Sequence, residues 1–431
     1  MFTLLKNAFQ VKDIRNRILF TLSMLIVFRI GTQITVPGVD ASAITNLAST
    51  GLFSLLNTFG GGALSQYSIF AMGVSPYITA SIVVQLLQMD IIPRFTEWSK
   101  QGEVGRRKLN QATKYLAVVL AFVQSIGISI GFNQLSDFGL VRNPGTTTYL
   151  MIALIMTAGS MFVIFLGDAI TMNGIGNGTS LLIFSGIVAR IPADLTTFYN
   201  DRFVDAGDNL TRNILFSVAL AIAMLLVVIF TIYMQQAERR IPIQYSKRAA
   251  GSNQTAHLPL KINSAGVIPV IFASSFMMTP QTILGFFAAN YANATWYQVL
   301  NTVFNYREPV GAIFYTILIV VFTYFYALIQ INPEKMAENL QKSGGYIPSV
   351  RPGKSTEDYI TSLLMRLSTV GALFLGLIAL LPIIASALWN LPDSLALGGT
   401  SLLIIVGTAL ETTRQIEGRM VKRNYQGFIQ K

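Results

Sequence analysis

Apolar residues run through this chain in blocks separated by shorter polar stretches. A helical crossing of a hydrocarbon core takes about 20 apolar residues. The blocks at 18–36, 69–89, 113–132, 147–167, 179–196, 213–234, 262–285, 309–331, 367–389 and 397–410 are read as ten spans. The pattern predicts an all-α membrane protein. One apolar stretch, Leu55 to Leu87, is broken twice, at Gly60 to Gly62 and from Gly73 to Pro76. Glycine and proline weaken a helix. In lipid, the backbone groups they free must be satisfied by protein or by a water-lined cavity. The breaks predict a short re-entrant piece, about Leu55 to Gln66, followed by a full span from Ile69 to about Met89. A surface loop followed by an ordinary span fits the pattern equally well.

Charge then orients the spans. Of the 31 Lys and Arg residues, 24 fall in 1–17, 90–112, 168–178, 235–261, 332–366 and 411–431; 4 fall in the alternate loops. Cytoplasmic loops carry the excess of Lys and Arg, so both termini are predicted in the cytoplasm. This assigns most of the net charge of +11 to topology rather than to nucleic-acid binding. Residues 1–17 are read as an amphipathic N-tail with Phe2, Leu5 and Phe9 at helical spacing. Two five-span halves, 18–196 and 197–410, enter from opposite sides, which is the condition for an inverted repeat. A C-tail, 411–431, follows.

Composition removes several chemistries. The chain is 52% hydrophobic and 12% charged, with no Cys and one His, against about 25% charged in soluble domains. Thiolate and imidazole clusters are therefore excluded, and no metal or cofactor is expected. No span carries Asp or Glu near its middle; Asp90, Asp168 and Glu411 sit at span ends. That weighs against an ion-coupled secondary transporter, the alternative function. Arg29 and Arg190 lie within spans, as functional residues or as cations snorkelling to the outer interface. Gly174, Gly176 and Gly178 read as a tight interhelical turn, because a nucleotide-binding glycine loop needs a preceding strand. No GxxxxGK[ST] motif is present, and no enzyme activity is expected. Asn209 and Asn293 begin N-x-T triplets, which are read as unglycosylated. The loops 235–261 and 332–366, the latter with Pro348 and Pro352 at its tip, are read as docking surfaces.

The run FxxxNxFGGGALSxxSIFAxGxxPYIxAS, from Phe53 to Ser81, resembles the SecY family of protein-translocation channels. Further matches are IGTQITVPGVD (Ile30 to Asp40), EVGRRKLNQATKY (Glu103 to Tyr115), FLGDAITMNGIGNGTSLLIFSGIVA (Phe165 to Ala189), ERRIPIQYSKR (Glu238 to Arg248), HLPLKINSAGVIPVIFASS (His257 to Ser275), NPEKMAENLQKSGGYIPSVRPG (Asn332 to Gly353) and GGTSLLI (Gly398 to Ile404).

The resemblance implies two inverted five-helix halves around a central pore. It implies a channel that passes unfolded polypeptide and releases apolar segments sideways between spans two and three and spans seven and eight. By motif position the pore ring is Val74, Ile78, Thr179, Ile183, Ile271 and Ile404, with Thr179 replacing the aliphatic residue common in the family. The plug holds Asn57, Phe59, Gly60, Gly61, Gly62, Ala63, Leu64 and Ser65. Docking falls to Arg239, Arg240, Lys247, Arg248, Lys342, Arg351 and Lys354. The implied partners are SecE-like and SecG-like membrane subunits, the SecA motor ATPase, the ribosome, signal peptides and unfolded substrates. The implied location is the plasma membrane.

The charge asymmetry makes a direct prediction. A reporter fused after residue 250 or 350 is expected to stay in the cytoplasm, and one fused after 140 or 300 to be exported. Export of the fusion at 350 overturns this topology.

Overall fold

The computed structural model describes residues 8–40, 57, 60–88, 91–135, 141, 144–204, 210–245, 256–285, 287, 291, 293–306, 308–389 and 398–429. Among these the chain is mainly helical. In chain order the helices are α1 (Lys12–Gly31), α2 (Ser75–Leu87), α3 (Pro93–Lys100), α4 (Gly102–Leu135), α5 (Thr146–Asn173), α6 (Gly178–Phe203) and α7 (Leu210–Gln236). Then follow α8 (Ile268–Gly285), α9 (Thr295–Phe304), α10 (Pro309–Gln330), α11 (Pro333–Lys342), α12 (Lys354–Trp389) and α13 (Gly398–Ile429). Six helices among the described residues are long and apolar enough to cross a membrane: α4, α5, α6, α7, α10 and α12.

Several boundaries differ from the sequence reading, each for a local reason. The span expected from Ile69 begins instead at Ser75, with Pro76 in its first turn. Residues 60–74 are turns, because Tyr67 and Gly73 hold positive φ (41° and 52°), which no helix admits. The span expected from 262 begins at Ile268 after a turn that includes Gly266 at φ 66°. The helix expected to end near 410 continues as α13 to Ile429. The amphipathic reading of 1–17 rests in part on Phe2 and Leu5. Residues 1–7 lie outside the described residues, and Lys12 to Arg17 belong to the first turns of α1.

The predicted interhelical turn at Gly174 to Gly178 is present. It joins α5 to α6 and is capped by Asn177, whose side chain accepts a hydrogen bond from Ser180 N at 3.3 Å. Thr21 of α1 accepts from Ile175 N, and Gln415 of α13 from Gly176 N, each at 3.0 Å. The turn thus ties four helices together.

The packing closes at two places. Helix α8 lies against α2 and α4 on one side, and α13 lies against α6 on the other. Helix α10 packs on α8 and α12, and α12 on α13. A single buried apolar cluster runs through the bundle from Phe28 to Ile404. Lys114 in α4 pairs with Asp168 in α5, so a cation inside one predicted span meets an anion at the end of the next.

Helices in lipid gain little from apolar burial against each other and depend on close approach at small residues. Gly178 makes one of the close approaches here, since a Cβ there would collide with the backbone carbonyl of Gly167. Gly178→Ala is expected to cost about 1–3 kcal/mol and to lower the thermal unfolding temperature in detergent. Gly418→Ala, with nothing near its Cβ position, is expected to be neutral. Equal behaviour of the two variants would remove the packing argument.

Candidate functional site

The non-helical stretch after the triple glycine sits in the middle of the bundle. Its backbone groups find partners one by one. Val36 N donates to Tyr67 O at 3.0 Å, and Ile69 N to Ile34 O at 2.9 Å. Ser68 N donates to Ala63 O at 2.9 Å, and Gly73 O accepts from Ser160 Oγ of α5 at 3.0 Å. Tyr67, fully buried, donates its hydroxyl to Ser129 Oγ of α4 at 2.7 Å. Asn57 accepts from Ser65 N through its side chain at 3.0 Å and from Gly62 N through its carbonyl at 2.7 Å. Gly61, at φ 69°, lies so close to α6 that a Cβ would stand 2.8 Å from Gly186 Cα. Its carbonyl accepts a hydrogen bond from Arg29 Nη1 at 2.6 Å.

Around this stretch the structure gathers the expected ring residues. Val74 and Ile78 lie at the start of α2, Ile183 on α6, Ile271 on α8 and Ile404 on α13, each between 1% and 6% exposed. All five belong to the same buried cluster as Ala63 and Leu64. Thr179 is different. It is half-buried at the start of α6, and a Cβ at Gly167 of α5 would lie 3.5 Å from its hydroxyl. Of the other residues expected in a plug, Asn57, Gly60 and Gly61 are buried, Gly62 and Ser65 half-buried, and Phe59 lies outside the described residues.

A second, polar site is built at one end of α12. Strands β1 (Glu238–Tyr245) and β2 (Ala256–Lys261) pair antiparallel, and β1 also pairs with β3 (Gly345–Tyr346) in the order β2-β1-β3. The two segments read as separate docking loops therefore form one sheet. Beneath it Ile241, Ile243, Leu260, Leu340, Ile347, Ile360 and Leu364 make a small core of their own. Alternation does this on β1, where Ile241 and Ile243 point inward while Arg240, Pro242 and Gln244 stay exposed. Asn332 caps α11 by accepting from Lys335 N at 3.0 Å.

Arg239, Arg240, Lys342, Arg351 and Lys354 are all exposed on this platform, while Lys247 and Arg248 lie outside the described residues. Arg240 pairs with Glu238 at 2.8 Å and Lys342 with Glu338 at 2.7 Å. The Lys342 ammonium holds the Glu338 carboxyl below the usual range. The tip is shaped by Ser349 and Gly353 at positive φ and by Thr356 Oγ1 donating to Arg351 O at 2.8 Å. Lys261 is partly buried, which lowers its pKa; Arg414 of α13 lowers it further, against the raising influence of Glu411 and Glu238.

A sequence model of the SecY family matches residues 68–413 of this chain. The chain belongs to the SecY family. It is 56% identical over 430 residues to protein translocase subunit SecY 1 of Lactobacillus kefiranofaciens, with both chains fully covered. Its fold matches a SecY structure in which the plug domain stabilises the closed state of the translocation channel and maintains a membrane seal. The TM-score there is 0.66, at 18% identity over 94% of this chain and 92% of the other. It also matches Sec61 in the canine ribosome–channel complex from the endoplasmic reticulum, with TM-score 0.63 at 17% identity over 94% and 93%. The chain is thus a multi-pass membrane protein with the SecY fold, and the transporter alternative finds no support.

Sequence reading missed the polar pins of the central stretch. Ser129 and Ser160 look like incidental hydroxyls in apolar spans, and Tyr67 like part of a loop. The available signal was the cost of a hydroxyl away from water, which calls for a partner. The three-stranded sheet was missed as well, although Ile241/Ile243 and Leu258/Leu260 each alternate at strand period.

Because the two segments share one small core, disturbing it should loosen both. Ile360→Ala, from a fully buried position on α12, is expected to cost that core about 2–5 kcal/mol. Limited proteolysis is expected to speed up near residues 250 and 350 together. Faster cutting at one alone would show that the sheet does not act as a unit.

Proposed function

We propose that this chain is the protein-conducting channel of a Sec translocase, passing unfolded polypeptide across the membrane and releasing apolar segments sideways into lipid. It is a channel subunit and not itself an enzyme. The observation that carries the mechanism is the single buried cluster in which Val74, Ile78, Ile183, Ile271 and Ile404 meet Ala63 and Leu64. A narrow apolar constriction loses its water and so blocks ions. Branched side chains can part around a moving chain without offering it a hydrogen-bonding partner. Ala63 and Leu64 carry the plug that caps the constriction at rest, in the stretch of about 55–66. Thr179 belongs to the ring by motif position and contributes its one hydroxyl.

Ten spans in two inverted halves, 18–196 and 197–410, would enclose the pore. The sideways exit would be the contact of α8 with α2 and α4, which is a seam between helices distant in sequence. Partitioning selects what leaves there. At a helix centre Leu gains about 0.3–0.6 kcal/mol and Arg costs roughly 3, so one arginine offsets about five to ten leucines. The exposed cations Arg239, Arg240, Lys342, Arg351 and Lys354, with Lys247 and Arg248, form the docking face for the SecA motor ATPase or the ribosome. Charges at such a face act mainly on recognition and association rate. SecE-like and SecG-like subunits complete the complex. The location is the plasma membrane with both termini in the cytoplasm, supported by the distribution of Lys and Arg.

The test is conductance of the reconstituted channel in planar bilayers. Ile183→Asn or Ile404→Asn is expected to make the resting channel leak ions, because an amide gives water partners in the constriction. The leak is expected to grow when residues 57–65 are also deleted. A doubly altered channel as tight as the wild type would show that these residues do not form the seal.

A further inference from the structure

The tip of the central stretch is held differently from the rest of it. Residues from Tyr67 to Gly73 are fixed by several bonds to the bundle: Tyr67 to Ser129, Ile34 and Val36 to their backbone partners, and Ser160 to Gly73. The turn Gly60 to Gly62 has one hydrogen bond from a side chain outside the stretch among the described residues, the 2.6 Å bond from Arg29 to Gly61 O. The bond of Gly62 N to Asn57 O is internal to the segment and travels with it. Ser65 Oγ to Gly62 O and Ala63 N to Gly60 O are likewise internal, and the turn otherwise abuts backbone at Gly186 of α6 and at Gly73.

Arg29 is built for this contact. It is half-buried near the end of α1, beside the fully buried Thr32, whose Oγ1 lies 3.4 Å from Arg29 Nη1. The other cations within predicted spans each meet a carboxylate, Lys114 that of Asp168 and Arg190 that of Asp194 at 3.6 Å, whereas no carboxylate pairs with Arg29 among the described residues. A snorkelling arginine would take its guanidinium to the interface; this one turns it onto a backbone carbonyl. A carbonyl acceptor leaves no counter-ion behind when the turn departs. The bond is therefore strong enough to hold and cheap enough to break once per opening.

We propose that Arg29 is a positioning residue of the idle state, a latch whose bond to Gly61 O sets how often the plug leaves the constriction. The inference rests on the reading of this stretch as a plug. Its loss should raise the frequency of opening by on the order of ten- to a hundredfold, the range for a hydrogen bond to a charged group.

The chain has no cysteine, so single introduced cysteines report cleanly in the full membrane complex. Ala63→Cys and Ala117→Cys both start from fully buried positions, the first in the plug and the second in α4 away from it. Labelling by a membrane-impermeant maleimide is measured in channels carrying Arg29, Arg29→Leu, Arg29→Gln or Arg29→Lys, together with protein abundance in the membrane. The expected result is faster labelling at residue 63 with Leu and Gln, near wild-type labelling with Lys, and unchanged slow labelling at 117. Unchanged labelling at 63 in either removal variant present at normal abundance overturns the latch. Equal acceleration at 63 and 117 overturns it too, since Arg29 would then serve bundle stability alone. If residue 63 stays unlabelled in the Arg29 channel even while a substrate is being transported, the plug reading itself fails.

Discussion

A backbone that leaves the helix inside a membrane has to find every hydrogen bond within the protein. That constraint governs this molecule more than any single side chain. From Gly60 to Val74 the chain gives up helical bonding, and the bundle answers with donors and acceptors from α1, α4 and α5. The helices that supply them are thereby fixed around the irregular stretch. Val74, Ile78, Ile183, Ile271 and Ile404 then fall into one buried cluster with it. A cavity-facing segment of irregular backbone is thus the nucleus of the architecture, with the regular helices as its support.

Much of this was legible in the sequence, because lipid imposes a simple code. Apolar blocks marked the long helices. The broken stretch announced itself through Gly60 to Gly62 and Pro76. What stayed hidden was anything decided by partners distant in the chain. Nothing near Tyr67 indicates that its hydroxyl will meet Ser129, and nothing near Arg29 points to Gly61. The short sheet was hidden for another reason: it lies in segments rich in charge and proline, where two inward isoleucines on β1 are a faint signal. Span edges shifted where positive φ at Tyr67, Gly73 and Gly266 overrode apolar composition.

The two sites have separate apolar cores, one under the sheet and one in the bundle. Among the described residues, only α12 contributes to both with fully or nearly fully buried side chains on one continuous helix. Ile360 and Leu364 belong to the small core, and Phe374, Leu375 and Ile378 to the large one. The charged platform and the apolar centre are therefore distinct chemical environments joined by a single piece of regular backbone.

Helix α12 has 36 residues, a rod of about 54 Å at 1.5 Å per residue. Arg351 and the tip of the platform stand immediately before its first turn, and Pro382 interrupts its hydrogen bonding near the far end. Such a rod is stiff along its length and weak at one known point. A tilt of about 5° imposed at the platform would carry its far end sideways by about 5 Å. Work done on the polar face would thus reach the opposite side of the membrane as leverage, with no chemical signal passing between.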